Sequence, residues 1–139
     1  VVNAALSDTV ETATLDLSRG VGSASIVNDY GQAEAVEVPT TTIDALVETK
    51  DLGRVDFIKL DIEGAEMKAL RGASRTIEAF HPAMCIEISL TSDGRPHTEA
   101  HSHLLDLGYC AFVFEDATLT PLRELDPPHA NVFYLFGTP

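Results

Sequence analysis

The 139 residues suit one domain with a buried core, and 45% hydrophobic and 22% charged residues are ordinary for a globular protein. Nine Lys and Arg face 22 Asp and Glu, a net charge of −13, which argues against nucleic-acid binding and against an anionic membrane surface. No apolar run approaches the ~20 residues of a membrane helix and no basic-then-apolar stretch reads as a signal peptide, so a cytoplasmic protein is expected.

The chain opens on "VVNAALSD", a short strand running into a polar turn. "ATLDL" and "AEAVEVPTT" read as two strands around a Ser- and Gly-rich loop. "TTIDALVETKDLG" places Ile43, Leu46 and Val47 at helical spacing, with Thr42 as N-cap and Gly53 beyond the end. Val55 to Leu60 is almost continuously apolar, the pattern of a strand covered on both faces. A helix follows with Met67, Ala69, Leu70 and Ala73 on its apolar side, and Gly72 is either a C-terminal signal or a close packing point. "AMCIEISL" is a second buried strand, and Pro96 to Leu107 a helix closed by Gly108. "YCAFVFED" and "ANVFYLFG" read as an antiparallel pair joined by a Pro-rich loop. The expected fold is therefore α/β, a mostly parallel sheet with helices on both faces and a C-terminal antiparallel strand pair. Cys85 and Cys110, both in apolar runs, are expected as buried free thiols.

Ligands of open α/β sheets bind at the carboxyl ends of the strands. Asp61 ends the first strong strand and Glu87 lies near the end of the next, so neighbouring strands would bring their ends to ~5 Å. Asp61 could instead be a helix N-cap, with Glu63 and Glu66 favoured by the first-turn dipole. Glu87 could form a salt bridge with Lys59 or Arg95, and Glu66 reads as a solvated helix residue. His97 and His101 have a metal-compatible spacing, but no acid or cysteine completes a set, and they read as an exposed helix face; no metal site is assigned.

"VDFIKLDIEGAEMKALRGA", Val55 to Ala73, resembles the signature of the FkbM-type methyltransferases, "DFIKIDVEGAELEVLKGA". "VVNAALSD" is similar to that family's third strand, "VPTTTIDALVE" to the element before its fourth, and "MCIEIS" to its fifth. The resemblance implies a class I methyltransferase sheet, Rossmann-like, with S-adenosylmethionine across the strand ends. It implies methyl transfer to a nucleophile, usually a hydroxyl oxygen, of a small molecule or glycan. It places Asp61 beside methyl donor and acceptor, Glu63 and Glu87 along the same mouth as catalytic acids, and Leu6, Ser7 and Asp8 near the adenine. The family's glycine-bearing "DVGANIG" turn and its ribose-binding "FEP" have no counterpart in these 139 residues. Residues 1–139 are thus expected to form one partial methyltransferase-like domain starting at the third strand, with either strand 3 paired elsewhere or strand 4 left at an exposed edge. The alternative is a non-catalytic α/β remnant that binds a partner through that edge.

Overall fold

A computed structural model describes residues 1–17, 24–26, 35–88, 98–115, 118–122 and 132–139. Arg95, His97, His129 and most of the Ser- and Gly-rich and Pro-rich loops lie outside the described residues.

The first part forms a small sheet of three strands. β1 (Ala5–Leu6) runs parallel to β3 (Ala35–Thr41), and β2 (Thr12–Asp16) pairs antiparallel along β3's other side. Thr40 pins the turn between them: its hydroxyl donates to the Thr9 carbonyl at 2.8 Å and accepts from the Glu11 N–H at 2.9 Å. β1 therefore pairs with the strand that arrives from the insert, and not with β4.

α1 (Ile43–Thr49) starts where expected, with the Thr42 hydroxyl accepting from the Ala45 N–H at 3.0 Å. β4 (Phe57–Leu60) pairs in parallel with β5 (Ala83–Ile88). The helical segment between them is two short helices, α2 (Glu66–Arg71) and α3 (Ser74–Phe80). The break falls at Gly72, where a Cβ would sit 2.2 Å from the Ser7 carbonyl oxygen. Gly72 is thus both a helix end and the point where β1's turn presses on the helices. Asp44 of α1 caps α3 from outside: its carboxylate accepts from the Thr76 N–H (2.9 Å), the Thr76 hydroxyl (2.7 Å) and the Arg75 N–H (3.1 Å). Burial alone would raise the Asp44 pKa, but these bonds outweigh it and hold the carboxyl below its usual range.

α4 (Glu99–Asp106) ends at Gly108, whose φ of 88° suits glycine. β6 (Cys110–Glu115), β7 (Thr118–Pro121) and β8 (Val132–Gly137) complete a five-stranded sheet of order β4-β5-β8-β6-β7. β8 lies antiparallel to both β5 and β6, as the expected antiparallel pairing of the last two apolar runs requires.

Four expectations are corrected. The larger sheet is not mostly parallel: β4 with β5 is its one parallel pair among the described strands, because β8 and β7 return antiparallel. The start of the Pro-rich loop is a strand, β7, whose Pro121 is tolerated at the sheet edge. The described helices cover that sheet on one face, not both. Ile58, Leu60, Met84, Ile86, Ile88, Tyr134 and Phe136 join Ala69, Leu70, Ile77 and Leu104 in one core. The alternating residues Phe57, Lys59, Phe133 and Phe114 are exposed, and Cys85, Glu87, Phe112 and Leu135 are half-buried. Finally, Cys110 is exposed, while Cys85 is half-buried; both thiols are free. No helix among the described residues is long and apolar enough to cross a membrane.

Candidate active site

The register of β4 on β5 pairs Leu60 with Ile86, so the next positions, Asp61 and Glu87, meet at the carboxyl end of the parallel pair. Asp61 is not a helix cap. α2 begins at Glu66 behind Ala65, which makes no side-chain capping bond. Instead Asp61 accepts a bond from Lys59 Nζ at 2.8 Å and is hydrogen-bonded to Glu87. Lys59 also lies over the Phe133 ring, 4.9 Å from its centroid, so cation and aromatic frame the acid pair from β4 and β8.

The electrostatics split the two acids. The Lys59 hydrogen bond, set against burial, holds Asp61 below the usual carboxylate range. Burial, then the bond to the Asp61 carboxylate, then the charges of Asp61, Glu63 and Glu66 push Glu87 up to about 7. The pair shares one proton, carried on Glu87, and releases it near neutrality. Glu63 is raised too, by burial and by the charges of Asp61 and Glu66. Lys59 is raised by its bond to Asp61.

Between the acids and the small sheet lies a cleft of about 430 Å³ lined by Leu6, Leu15, Ile26, Asp61, Glu63 and Ala65, among others. The turn that carries Glu63 has a left-handed backbone, with φ 53° at Glu63 and 96° at Gly64. A left-handed non-glycine residue costs roughly 1–2 kcal/mol, so the surroundings must hold it. Two contacts do so. The Ser25 hydroxyl donates to the Glu63 carbonyl at 2.8 Å. Glu66, 2% exposed, accepts from the Ile62 N–H at 3.2 Å and the Gly64 N–H at 3.3 Å.

The structure thus brings together Asp61, Glu63 and Glu87, with one carboxylate oxygen of each within 4.8 Å of the others. That spacing would suit a shared cation, a role in which the Lys59 ammonium already serves Asp61. Leu6 joins Asp61 and Glu63 on the cleft wall. Ser7 is buried and its hydroxyl donates to Asp8 at 3.1 Å, so both belong to the turn behind that wall. Glu66 is corrected from a solvated residue to a buried one. Its place two residues after Gly64, at the first position of α2, is the signal of an acid folding back on preceding N–H groups. His101 is corrected as well: it is 2% exposed and packs edge-on against Tyr134 and Phe136.

The Methyltransferase FkbM domain matches residues 2–114, which run from β1 into β6 and contain Leu6, Lys59, Asp61, Glu63, Glu66 and Glu87. The chain belongs to the FkbM methyltransferase family. No curated protein and no solved structure matches it. The family match stops before β7 and β8, although β8 is the strand that joins β5 to β6 and supplies Phe133 to the acid pair.

Proposed function

We propose that this FkbM family chain serves S-adenosylmethionine-dependent methyl transfer to a hydroxyl oxygen of a small molecule or glycan, and that it supplies the acidic, acceptor-side wall of the site. The observation that carries this reading is the Asp61–Glu87 pair, sharing a proton beside a cleft of about 430 Å³. Family membership supports the reaction class.

The residues present fit the cofactor's chemistry. Asp61 and Glu63 offer negative charge to a sulfonium, and Leu6, Leu15 and Ile26 offer an apolar wall to a base. When bound, S-adenosylmethionine supplies an electrophilic methyl group. Above about pH 7 Glu87 is ionised and the pair has lost its shared proton, so it can take the acceptor's hydroxyl proton, which then rests on Glu87 and restores the bond to Asp61. Lys59 keeps Asp61 charged and in place. The Phe133 ring at the rim offers an apolar contact to the acceptor. The free cysteines agree with a reducing, cytoplasmic setting.

Calorimetric titration of S-adenosylmethionine into the protein, repeated on Asp61→Ala, tests the reading. The family's glycine-bearing turn has no counterpart here, so the expected binding is weak, and weaker by about tenfold or more in the variant. A folded protein that shows no binding at millimolar cofactor, or equal binding in Asp61→Ala, overturns it.

A second reading draws on one observation. β4 is an edge strand with Phe57 55% exposed, which favours a module that docks a partner along that edge. A Phe57→Lys variant that binds cofactor like the parent but no longer forms a complex would favour it.

A further inference from the structure

We propose that Glu66 is the positioning residue of the acidic mouth: its buried carboxylate locks the 61–65 turn in the one backbone conformation that sets Asp61 and Glu63 beside Glu87. The inference rests on the reading of this mouth as the methyl-acceptor site, but its decisive measurement does not.

Several contacts hold the turn, among them the Ala65 N–H on the Ile62 carbonyl at 3.3 Å and Ile62 against the core, and Glu66 adds two bonds within its left-handed stretch. The turn follows β4, precedes α2, and passes through two left-handed residues, Glu63 and Gly64. Its Ile62 and Gly64 N–H groups both point at one oxygen, Oε1 of Glu66. A carboxylate accepting two backbone N–H groups makes stronger bonds than a neutral acceptor, and more so out of water. Glu66 is 2% exposed, so the bonds face no competition from solvent. The Ser25 bond to the Glu63 carbonyl fixes the turn from its other side and cannot replace the two N–H contacts.

An acid is a costly choice for such a place, since Asp61, Glu63 and Glu87 already crowd the mouth. An amide could accept the same two bonds. The charge therefore has a consequence of its own: Glu66 is among the groups that raise Glu63 and Glu87. One buried side chain thus shapes the mouth and adds, after burial and the nearer acids, to what keeps it proton-loaded. Among the described residues, the charged and titratable groups of the mouth beside it are Asp61, Glu63 and Glu87, with Lys59 on Asp61.

Glu66→Gln and Glu66→Ala separate the two effects. Carbon-13 NMR of the Glu87 carboxyl, followed through a pH titration, reports the mouth without needing turnover. In the parent the expected midpoint is about 7. Glu66→Gln keeps the acceptor and removes the charge, so the midpoint falls modestly, by about half a pH unit. Glu66→Ala frees the turn and parts Asp61 from Glu87, so the midpoint falls further than in Glu66→Gln, while burial of Glu87 still holds it above 4.5. Hydrogen exchange at Ile62 and Gly64 should rise about tenfold or more in Glu66→Ala and stay near the parent's in Glu66→Gln. Equal midpoints and equal exchange in the two variants overturn the inference. If Glu66→Ala does not fold, Glu66→Asp takes its place: the shorter side chain loses reach to at least one N–H, and an unchanged Glu87 midpoint there overturns the inference equally. Absence of cofactor binding by the parent would sink the functional reading and leave this test standing.

Discussion

Replacing Glu87 with Gln should stabilise the protein at alkaline pH and leave it unchanged in acid. Glu87 is raised from 4.5 to about 7. Across that window the folded state holds a proton that the unfolded chain has released, so stability falls as pH rises from 4.5 to 7. The full gap corresponds to a ceiling of roughly 3 kcal/mol. Water reaches the exposed Asp61 and the half-buried Glu87, and screening brings the expectation to about 1–2 kcal/mol. The introduced amide is neutral at every pH and can still donate to Asp61, so the variant avoids the cost without losing the bond. Urea unfolding followed by far-ultraviolet circular dichroism at about pH 5 and about pH 8 measures the difference. The variant should gain most of its advantage at the higher pH and lose any methyl transfer. An advantage independent of pH, or a variant less stable at pH 8, would refute the shared-proton account of the pair.

Two further outcomes are expected. Gly72→Ala puts a Cβ 2.2 Å from the Ser7 carbonyl oxygen, where the backbone must move. Thermal unfolding should show a loss of about 2–3 kcal/mol, whereas Gly53→Ala, whose Cβ meets nothing within 4 Å, should be close to neutral. His101 is pushed down by burial, with Nδ1 unpartnered, so its contribution runs opposite to that of Glu87. Its folded state resists protonation, and stability is lost as pH falls through the ordinary 6.5 towards the lowered value. His101→Leu should therefore outlast the parent by a margin that widens from about pH 7 to about pH 5, read as unfolding temperature.

The central unit was legible because its signals agree. The apolar run to Leu60, the acids after it, and the "MCIEIS" run lead to two neighbouring strands whose ends carry Asp61 and Glu87. Thr42 as N-cap was legible for the same reason, a hydroxyl placed before helical periodicity. What was not legible depends on partners distant in sequence. Phe57 and Ile58 are equally apolar, yet one is 55% and the other 8% exposed, because helices arrive on one side only. His101 sits at a spacing that suggests a polar face, but the ring is buried by Tyr134 and Phe136, more than thirty residues away. The one-turn span from Glu66 back to Ile62 is local, and its role was hidden because acids in first helical turns are usually solvated.

The position of β8 also sets an order of assembly. It is the last strand in sequence, yet it sits at the middle of the five-stranded sheet and carries all the pairing between the β4–β5 half and the β6–β7 hairpin. A chain emerging from its N-terminal end can form each half, but not join them, until residues 132–137 have been made. Until then Ile88, Ala111 and Val113 lie along unpaired edges. Closure is a step of high sequence separation, from Met84 to Phe136, and is expected to be late and slow for that reason. During synthesis the half-sheets depend on being kept apart from other chains, and the acidic surface, at −13, provides that repulsion.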